Sequence, residues 1–385
     1  MNAEVDRAAE DAASRCQVCD GSELREVDGY PALRRVSSDC RSWPAGGRLA
    51  VCMSCGTVQK VATRGWRQEC RDIYADYVVY RQGPKAEQSV FMSGVAESRS
   101  RLFLGWVMEK LGSPAGGRAL DFGCGDGALL RNLASMAPAW RLSGQDLNTR
   151  YRETILALPG VEAFPTVAID DLPTGFDLVT AVHVIEHLER PADCLRALAG
   201  KLAPAGTLAI EIPDVVTSPF DLLVVDHVTH FTRKTLSTLL AKAGLVAVAR
   251  SDTLAPKELS TIARRGSVAG ELEDAGAEEA VALVERHLAW LSRLRDAAAA
   301  ASAGGEVAIF GTAIAGTWLD GELDHAPVLF VDEDSKRHRH LHFGRKIVPP
   351  ADVPKHIPVI VPLSAEVAPG VIGRLQALGL STVWS

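Results

Sequence analysis

Two cysteine pairs near the N-terminus have the spacing of a metal site. Cys16 and Cys19 are separated by two residues, and so are Cys52 and Cys55. Such pairs supply four thiolates for one tetrahedral zinc ion, and four sulfur ligands leave no open position for catalysis. We therefore predict a structural zinc ion that stabilises a segment too small for a large core of its own. Free buried thiols are the alternative, and Cys40 lies outside both pairs.

A glycine-rich loop, DFGCGDG at residues 121–127, follows a short apolar segment. Gly123, Gly125 and Gly127 allow a sharp turn and a close approach of a ligand to the backbone, with a helix N-terminus behind them. A dinucleotide site is the alternative reading of such a fingerprint. Asp121 at the start of the loop argues against the dinucleotide, whereas Asp146, at the end of the next strand, suits a ribose diol in either case.

These residues resemble the first motif of the class I S-adenosylmethionine-dependent methyltransferases and the acidic residue that follows it. Two more segments resemble this family in the same order: FDLVTAVHVIEHL at 176–188 is similar to its fourth-strand motif, and LAPAGTL at 202–208 to the next loop and strand. The resemblance covers about residues 118–250. It implies that Asp170 or its neighbour Asp171 lies near the adenine and that His183 lies on the cofactor side. The residues expected to contact the cofactor are Asp121, Gly123, Gly125, Gly127, Asp146, Leu147, Asp170 and His183.

Two histidines and an aspartate lie close together after the fifth strand, at Asp226, His227 and His230. We expect their segment to overhang the active-site mouth. With the four-cysteine front and the α/β tail, the chain resembles the three-domain sugar C-methyltransferases that make branched deoxysugars such as tetronitrose and mycarose, a family of deoxysugar and antibiotic biosynthesis. The chain departs from that family in two places. It has an Asp-His pair in place of Glu-His, and the segment 74–80 replaces a tyrosine pair followed by serines.

The chemistry of carbon methylation assigns roles to these residues. A methyl transfer needs an aligned nucleophile, and carbon becomes nucleophilic only after it has lost a proton. A histidine suits removal of the C3 proton of a 4-keto sugar, which predicts His227 as the general base, with Asp226 tuning its charge or orientation. The resulting enolate needs a donor, for which His187 and Tyr77 are candidates. A packing role is an equal alternative for His187, and a structural role an alternative for His183.

A second glycine fingerprint, GTAIAG at 311–316, precedes Asp332 and is incomplete. Ala313 stands where a second glycine would admit a pyrophosphate, so we expect a Rossmann-like scaffold that does not bind NAD. The basic stretch 336–346 either faces a phosphate or forms a solvated loop.

The elements that position these residues form three predicted domains. They are a zinc-binding domain at 1–65, a methyltransferase domain with N-terminal helices at 66–265, and a linker helix with a C-terminal α/β domain at 266–385. The fold class is therefore α/β, with a class I methyltransferase (Rossmann-like) core, a small zinc-binding domain and a second Rossmann-like domain. Helical spacing, to which Val90, Phe91 and Val95 contribute, predicts helices over 65–111, and a long helix is predicted at 271–303. The predicted strands are 118–122, 141–145, 177–182, 206–212, 246–250, 307–310, 328–331, 359–361 and 382–384.

Length and composition exclude several classes of protein. The 385 residues exceed one small module, and 47% hydrophobic with 23% charged residues is typical of a globular chain. A net charge of -7 gives no general attraction to nucleic acid. The acidic N-terminus lacks a secretory pattern and no apolar run reaches about 18 residues, so we expect a cytoplasmic protein without a membrane partner. We expect a monomer or weak homo-oligomer whose substrate is a small molecule, a nucleotide-linked sugar.

Three alternatives to a sugar C-methyltransferase remain open at the level of sequence. O- or N-methylation of a sugar or another secondary metabolite also employs histidine bases. A zinc-ribbon nucleic-acid methyltransferase or adaptor is disfavoured by the acidic charge and by Glu186-His187 in place of an Asn/Asp-Pro-Pro-aromatic motif. A sensor that only binds S-adenosylmethionine would need no histidines in the overhanging segment.

Overall fold

The computed structural model describes residues 15–78, 89–92, 95–267 and 276–384. Three segments named in the sequence analysis lie outside these residues. They are the acidic segment 1–14, the end of the 74–80 segment, and the start of the predicted long helix at 271–275. The helices are α1 Arg64–Ala75, α2 Arg99–Lys110, α3 Ala128–Met136, α4 Arg152–Leu156, α5 Pro191–Lys201, α6 Arg233–Lys242, α7 Ala277–Ala303, α8 Ile314–Glu322 and α9 Ala368–Ala377. Within the described part of the chain, no helix combines the length and apolar character needed to span a membrane.

The strands group into two large sheets, one smaller sheet and two hairpins. They are β1 Leu24–Glu26, β2 Arg35–Val36, β3 Ser42–Trp43, β4 Leu49–Cys52, β5 Val58–Lys60, β6 Ser89–Met92, β7 Val95–Ser98, β8 Arg118–Phe122, β9 Arg141–Gln145, β10 Val161–Ala163, β11 Phe176–Val182, β12 Leu202–Pro213, β13 Thr229–His230, β14 Leu245–Ser251, β15 Glu258–Arg265, β16 Ala308–Phe310, β17 Leu329–Val331, β18 Leu341–His342, β19 Arg345–Val348, β20 Val359–Ile360 and β21 Thr382–Val383.

The central sheet has seven strands in the order β10-β9-β8-β11-β12-β15-β14. β15 runs antiparallel to both of its neighbours, and the other pairs are parallel. Strands buried on both faces read as apolar runs, and Leu120, Leu178 and Ile210 are fully buried here. The five strands predicted for this sheet are present. β10 and β15 were not predicted, because β10 has only three residues and the ELSTIARR segment of β15 mixes polar and apolar residues without a clear period.

The region before the central sheet is only partly helical. α1 begins after Thr63, whose side chain accepts a hydrogen bond from the Trp66 N–H, and α2 begins after Ser98, which caps the Arg101 N–H in the same way. Between them β6 and β7 pair as an antiparallel hairpin. The prediction of helix at 89–98 is therefore wrong. Valine and phenylalanine favour strands. The few apolar residues in this segment are compatible with the period of a helix and with that of a strand.

A four-stranded sheet joins the cysteine-rich segment to the rest of the chain. Its order is β1-β4-β5-β13, and β13 comes from the segment after β12. Thr229 is opposite Gln59 and His230 is opposite Val58 in an antiparallel register. The histidine segment of the predicted active site thus forms the edge strand of the N-terminal sheet.

The C-terminal sheet has six strands in the order β18-β19-β17-β16-β20-β21. Its four predicted strands are present with slightly shorter bounds, whereas β18 and β19 lie in the basic stretch read as a loop or phosphate site. One buried apolar cluster contains residues from all three predicted domains, including Tyr30, Phe220, Leu291 and Phe330. The division at residues 65 and 265 stays a prediction.

Candidate active site

The four cysteines predicted as metal ligands lie together. The Sγ atoms of Cys16 and Cys55 are 3.5 Å apart, as are those of Cys19 and Cys52. All four sulfur atoms lie within 4.8 Å of one another. Cys16, Cys52 and Cys55 are buried. This donor set could hold one zinc ion in a closed, all-sulfur site.

The backbone around the cysteines also fits a metal. The N–H groups of Val18 and Cys19 each lie 3.4 Å from Cys16 Sγ, and the Gly21 N–H lies 3.3 Å from Cys19 Sγ. Backbone N–H groups directed at sulfur stabilise thiolates, as expected around metal ligands. Cys40 is not among the grouped sulfur atoms and has a left-handed backbone, with φ of 62°.

The glycine loop has the shape predicted from its sequence. Gly123 and Gly127 have φ of +73° and +81°. A Cβ atom on Gly123 would lie 2.4 Å from Val184 Cγ2, and one on Gly127 would lie 2.8 Å from Ile155 Cγ1. Both positions therefore require glycine for two independent reasons, backbone conformation and space. Gly127 immediately precedes α3, which points its N-terminus at the loop.

Asp146 lies against this loop at the end of β9. Its Oδ2 accepts a hydrogen bond of 2.9 Å from the Gly125 N–H, and its Oδ1 accepts one of 2.7 Å from the Asn148 N–H. Burial raises the pKa of Asp146, and these N–H groups act in the opposite direction. The next residue, Leu147, is 96% exposed and offers an apolar surface beside the carboxylate. The cofactor roles of Asp146 and Leu147 stay predictions.

Asp121 is buried beneath the same strand ends. Its Oδ1 accepts a hydrogen bond of 2.7 Å from the Thr180 hydroxyl of β11. Burial, together with the charge of Asp146, raises the pKa of Asp121 to about 7, although the Thr180 bond lowers it. Asp121 therefore joins two neighbouring strands at the edge where the loop begins.

Asp170 and His183, two further predicted cofactor residues, differ in their surroundings. Asp170 lies in a short 3-10 turn with an exposed side chain, and its carbonyl accepts a bond of 2.7 Å from Lys201 Nζ. His183 directly follows β11 and has a left-handed φ of 53°. Its ring nitrogens lie 2.6 Å from Arg99 Nη1 and 3.1 Å from Glu186 Oε1. Non-glycine residues in this conformation are concentrated at functional sites. The cofactor roles of both residues stay predictions.

His187 is held by the segment that follows β12. Its Nδ1 lies 2.9 Å from the Asp226 carbonyl oxygen, 3.0 Å from Tyr74 Oη and 3.4 Å from Asp226 Oδ2. The Asp226 carboxylate in turn accepts bonds from the N–H and the hydroxyl of Ser38, at 2.9 and 2.5 Å. Ser38 Oγ also lies 3.3 Å from Tyr77 Oη. Burial lowers the pKa of His187, but Asp226 outweighs it, so the net shift is upward.

His227 is paired with a different carboxylate from the predicted one. Its Nδ1 lies 2.6 Å from Asp221 Oδ1, and 8% of its side chain is exposed. The Asp226 side chain contacts His187 and Ser38, and its tuning of His227 stays a prediction. The chain turns at residues 225–226, so the adjacent side chains of Asp226 and His227 reach different partners. The rings of His187 and His227 meet edge to face with centroids 4.6 Å apart.

Backbone contacts connect the histidines to the glycine loop. The Val228 N–H donates to the Glu186 carbonyl at 2.8 Å, which ties the His227 segment to the turn after β11. Val184 in that turn packs on Gly123. Because parallel strands end at one edge, the loop, Asp146, His187 and His227 lie at the carboxyl edge of the sheet, where ligands bind in such folds.

Sequence reasoning missed Asp221, Tyr74 and Lys60, which contact the predicted site residues. Asp221 and Tyr74 lie in segments that the sequence analysis named for other residues, and Lys60 follows Cys55 by five positions. A general expectation that a buried histidine needs a carboxylate partner could have suggested Asp221, whereas nothing in the sequence points to Lys60.

The strand order with its single antiparallel member, the glycine loop and Asp146 define a class I methyltransferase fold. The family model described as "Methyltransferase domain" matches residues 95–250, which is less than half of the chain and includes the loop and both histidines. The predicted fold class is thereby confirmed, and the N-terminal cysteine cluster is compatible with a zinc-binding domain.

Curated relatives match part of this region. The chain is 36% identical over 114 residues to the ubiquinone biosynthesis O-methyltransferase of Bordetella pertussis, covering 27% of this chain and 46% of that protein. It is 30% identical over 129 residues to the enzyme of the same name from Xanthomonas campestris pv. campestris, covering 32% and 53%. The chain spans about half the length of the curated relatives it matches.

Solved structures with some likeness include a mitomycin 7-O-methyltransferase, with 20% identity, a TM-score of 0.38 and coverage of 44% of this chain and 53% of that chain. Another is an O-methyltransferase from neocarzinostatin biosynthesis in complex with S-adenosylmethionine and 2-hydroxy-5-methyl naphthoic acid. It has 19% identity, a TM-score of 0.35 and coverage of 39% and 49%. These overall likenesses are weak.

Proposed function

We propose that this chain is an S-adenosylmethionine-dependent methyltransferase that acts on a small molecule. The match of residues 95–250 to the methyltransferase domain supports the reaction class. Gly123, Gly125, Gly127 and the Asp146 carboxylate would hold the cofactor. When bound, S-adenosylmethionine supplies an electrophilic methyl group, whose bond to sulfur breaks as the new bond forms.

The observation that carries a base-assisted reaction is the state of His227. Its Nδ1 is engaged by a buried carboxylate at 2.6 Å, so Nε2 is the nitrogen with an available lone pair. Together with the family resemblance, this supports C-methylation of a nucleotide-linked keto-deoxysugar. His227 Nε2 takes the proton next to the carbonyl group, and the C–H electron pair moves into an enolate. The enolate carbon would then be the nucleophile for the methyl group that the cofactor supplies.

The enolate oxygen needs a hydrogen-bond donor near the base. His187 is the nearer candidate, because its ring contacts the His227 ring and its pKa is raised. Tyr77 is the second, through its hydroxyl beside Ser38. Donors placed before the reaction stabilise developing charge more effectively than water does.

The four-cysteine group is proposed to bind one structural zinc ion. A closed tetrahedral site takes no part in the reaction, and its contribution is to fold the segment that carries β4 and β5.

O-methylation is the second candidate, and the curated relatives favour it because they are named as O-methyltransferases. His227 could remove a proton from a hydroxyl group as readily as from carbon. The acceptor would then be a sugar or another secondary metabolite.

One experiment separates these candidates. A panel of thymidine- and uridine-linked keto-sugars and phenolic acceptors is assayed with methyl-labelled cofactor, in deuterated water. A keto-sugar C-methyltransferase should exchange the acidic C–H of its substrate for deuterium, whereas an O-methyltransferase should turn over without exchange. Failure to bind S-adenosylmethionine at all would contradict the reaction class.

A further inference from the structure

A single buried carboxylate connects two histidines beneath the candidate active site. Asp221 Oδ1 lies 2.6 Å from His227 Nδ1, and Asp221 Oδ2 lies 2.6 Å from His230 Nδ1. The side chain of Asp221 is 2% exposed and that of His230 is 0% exposed. The two histidines keep the pKa of Asp221 well below its usual range, although burial alone would raise it. An ionised carboxylate only accepts, so both Nδ1 atoms carry hydrogen and donate.

The chain of polar contacts continues to a buried lysine. Lys60 Nζ lies 3.1 Å from His230 Nε2, donates to the Leu222 carbonyl and faces the Tyr30 ring at 4.5 Å from its centroid. Burial lowers the pKa of Lys60 to about 7, while the Asp221 charge acts to raise it. Lys60 is on β5, so this end of the chain comes from the cysteine-rich sheet.

These contacts exclude His230 as the base. Its side chain is fully buried, Nδ1 donates to Asp221, and Nε2 accepts from Lys60. Burial and Lys60 lower the pKa of His230 to about 4. Within the described part of the chain, the hydrogen bond of the His227 ring is made by Nδ1, so its Nε2 is left for an acceptor.

We propose that Asp221 is the positioning residue of the base, and that Lys60 and His230 fix Asp221 in turn. This inference rests on the proposed function, because it specifies how His227 is held as a proton acceptor. Asp221 fixes the Nδ1–H tautomer of His227 and stabilises the imidazolium formed when Nε2 takes a proton. The arrangement has the logic of a histidine base oriented by a buried carboxylate.

Energetics support a functional role for these groups. A lysine, an aspartate and two histidines buried together lose their hydration, and well-packed apolar residues of similar volume often stabilise a protein as much or more. Such a network instead fixes one arrangement of its members. The neighbouring core is apolar, including Leu222, Leu223 and Val58, so a polar chain here is not a requirement of packing.

Substitution of Asp221 by asparagine tests the proposal. An amide presents one acceptor and one donor, so one of its histidine contacts must reverse. For Asp221→Asn we expect kcat to fall about 10²- to 10⁴-fold, with S-adenosylmethionine affinity and the KM for the acceptor nearly unchanged. Asp214→Asn is the matched control, because Asp214 is also a buried carboxylate in this segment and its Oδ1 accepts from the Val216 backbone. Near-parent kcat in Asp221→Asn would overturn the proposal.

A spectroscopic measurement on the parent protein tests the tautomer of His227 even if Asp221→Asn does not fold. With ¹⁵N-labelled histidine, the nitrogen shifts report which ring nitrogen of neutral His227 carries hydrogen, and His227→Gln assigns the signal. We expect hydrogen on Nδ1 in the parent. A parent with hydrogen on Nε2 would overturn the proposal.

If His227→Gln retains full turnover, the base assignment itself fails, whereas Asp221→Asn tests only how the base is held. The two variants therefore separate the two proposals.

Discussion

At the scale of single residues, Asp146 is held for its predicted task by two backbone N–H groups, those of Gly125 and Asn148. Each carboxylate oxygen accepts one of these bonds and retains further acceptor capacity for a diol hydroxyl. The glycine loop and Asp146 are therefore coupled by hydrogen bonds, and a substitution in either should alter the position of the other.

Replacing Asp146 by alanine should weaken S-adenosylmethionine binding by about 2 to 4 kcal/mol, because two charge-assisted hydrogen bonds to the ribose are lost. Isothermal calorimetry measures this difference directly. Asp193→Ala is a suitable control, since Asp193 is a carboxylate on α5 whose side chain is 44% exposed and pairs with Arg190. If Asp146→Ala binds as tightly as the parent, the nucleoside site is elsewhere.

Replacing His227 by glutamine should leave S-adenosylmethionine affinity intact and lower turnover about 10²- to 10⁴-fold. The glutamine amide can still donate to Asp221, but it cannot take a proton. Turnover and calorimetry on the same preparation make the comparison. A variant with near-parent turnover would shift the role of base to His187, the nearest other ring.

At the scale of elements, the glycine loop can be tested through its backbone. Gly123→Ala should lower the thermal midpoint and weaken cofactor binding, because the new Cβ meets Val184 at 2.4 Å in a left-handed conformation with φ of +73°. Gly200→Ala is the matched control. Gly200 lies in α5 with nothing within 4 Å of a new Cβ, so alanine should stabilise the protein by about 0.5 to 1 kcal/mol. Equal effects of the two changes would contradict the steric argument.

The predictability of these elements follows from how local their causes are. The strand that carries the glycine loop is a short apolar run, and both it and the strand before Asp146 lie between turn signals, so sequence alone finds them. β13 has two residues and forms only by pairing with β5, a partner far away in sequence. Asp221 meets His227 because a 3-10 turn at Pro219–Leu223 folds back, and no periodicity encodes that turn. Because these pairings are non-local, the sequence identifies His227 as a candidate base but does not identify Asp221 as its partner.

At the scale of the whole molecule, the pairing of β5 with β13 connects the cysteine cluster to the candidate base. Cys52 ends β4, the tight turn to β5 contains Cys55, and β5 ends with Lys60. β13 carries His230, which shares Asp221 with His227. A metal that fixes the β4–β5 turn would therefore also fix the far end of the base network.

We expect one zinc atom per chain, and we expect its removal to reduce turnover more strongly than S-adenosylmethionine affinity. The cofactor loop belongs to the central sheet, whereas Lys60 and β13 depend on the N-terminal sheet. Metal analysis of the purified chain gives the stoichiometry, and a Cys52→Ser, Cys55→Ser double variant should lose the zinc. Cys194→Ser, a thiol on α5 outside the cluster, is the control. Zinc retained in the double variant would refute the ligand assignment, and equal losses of turnover and cofactor affinity would show that the cysteine cluster supports the whole fold and not specifically the base.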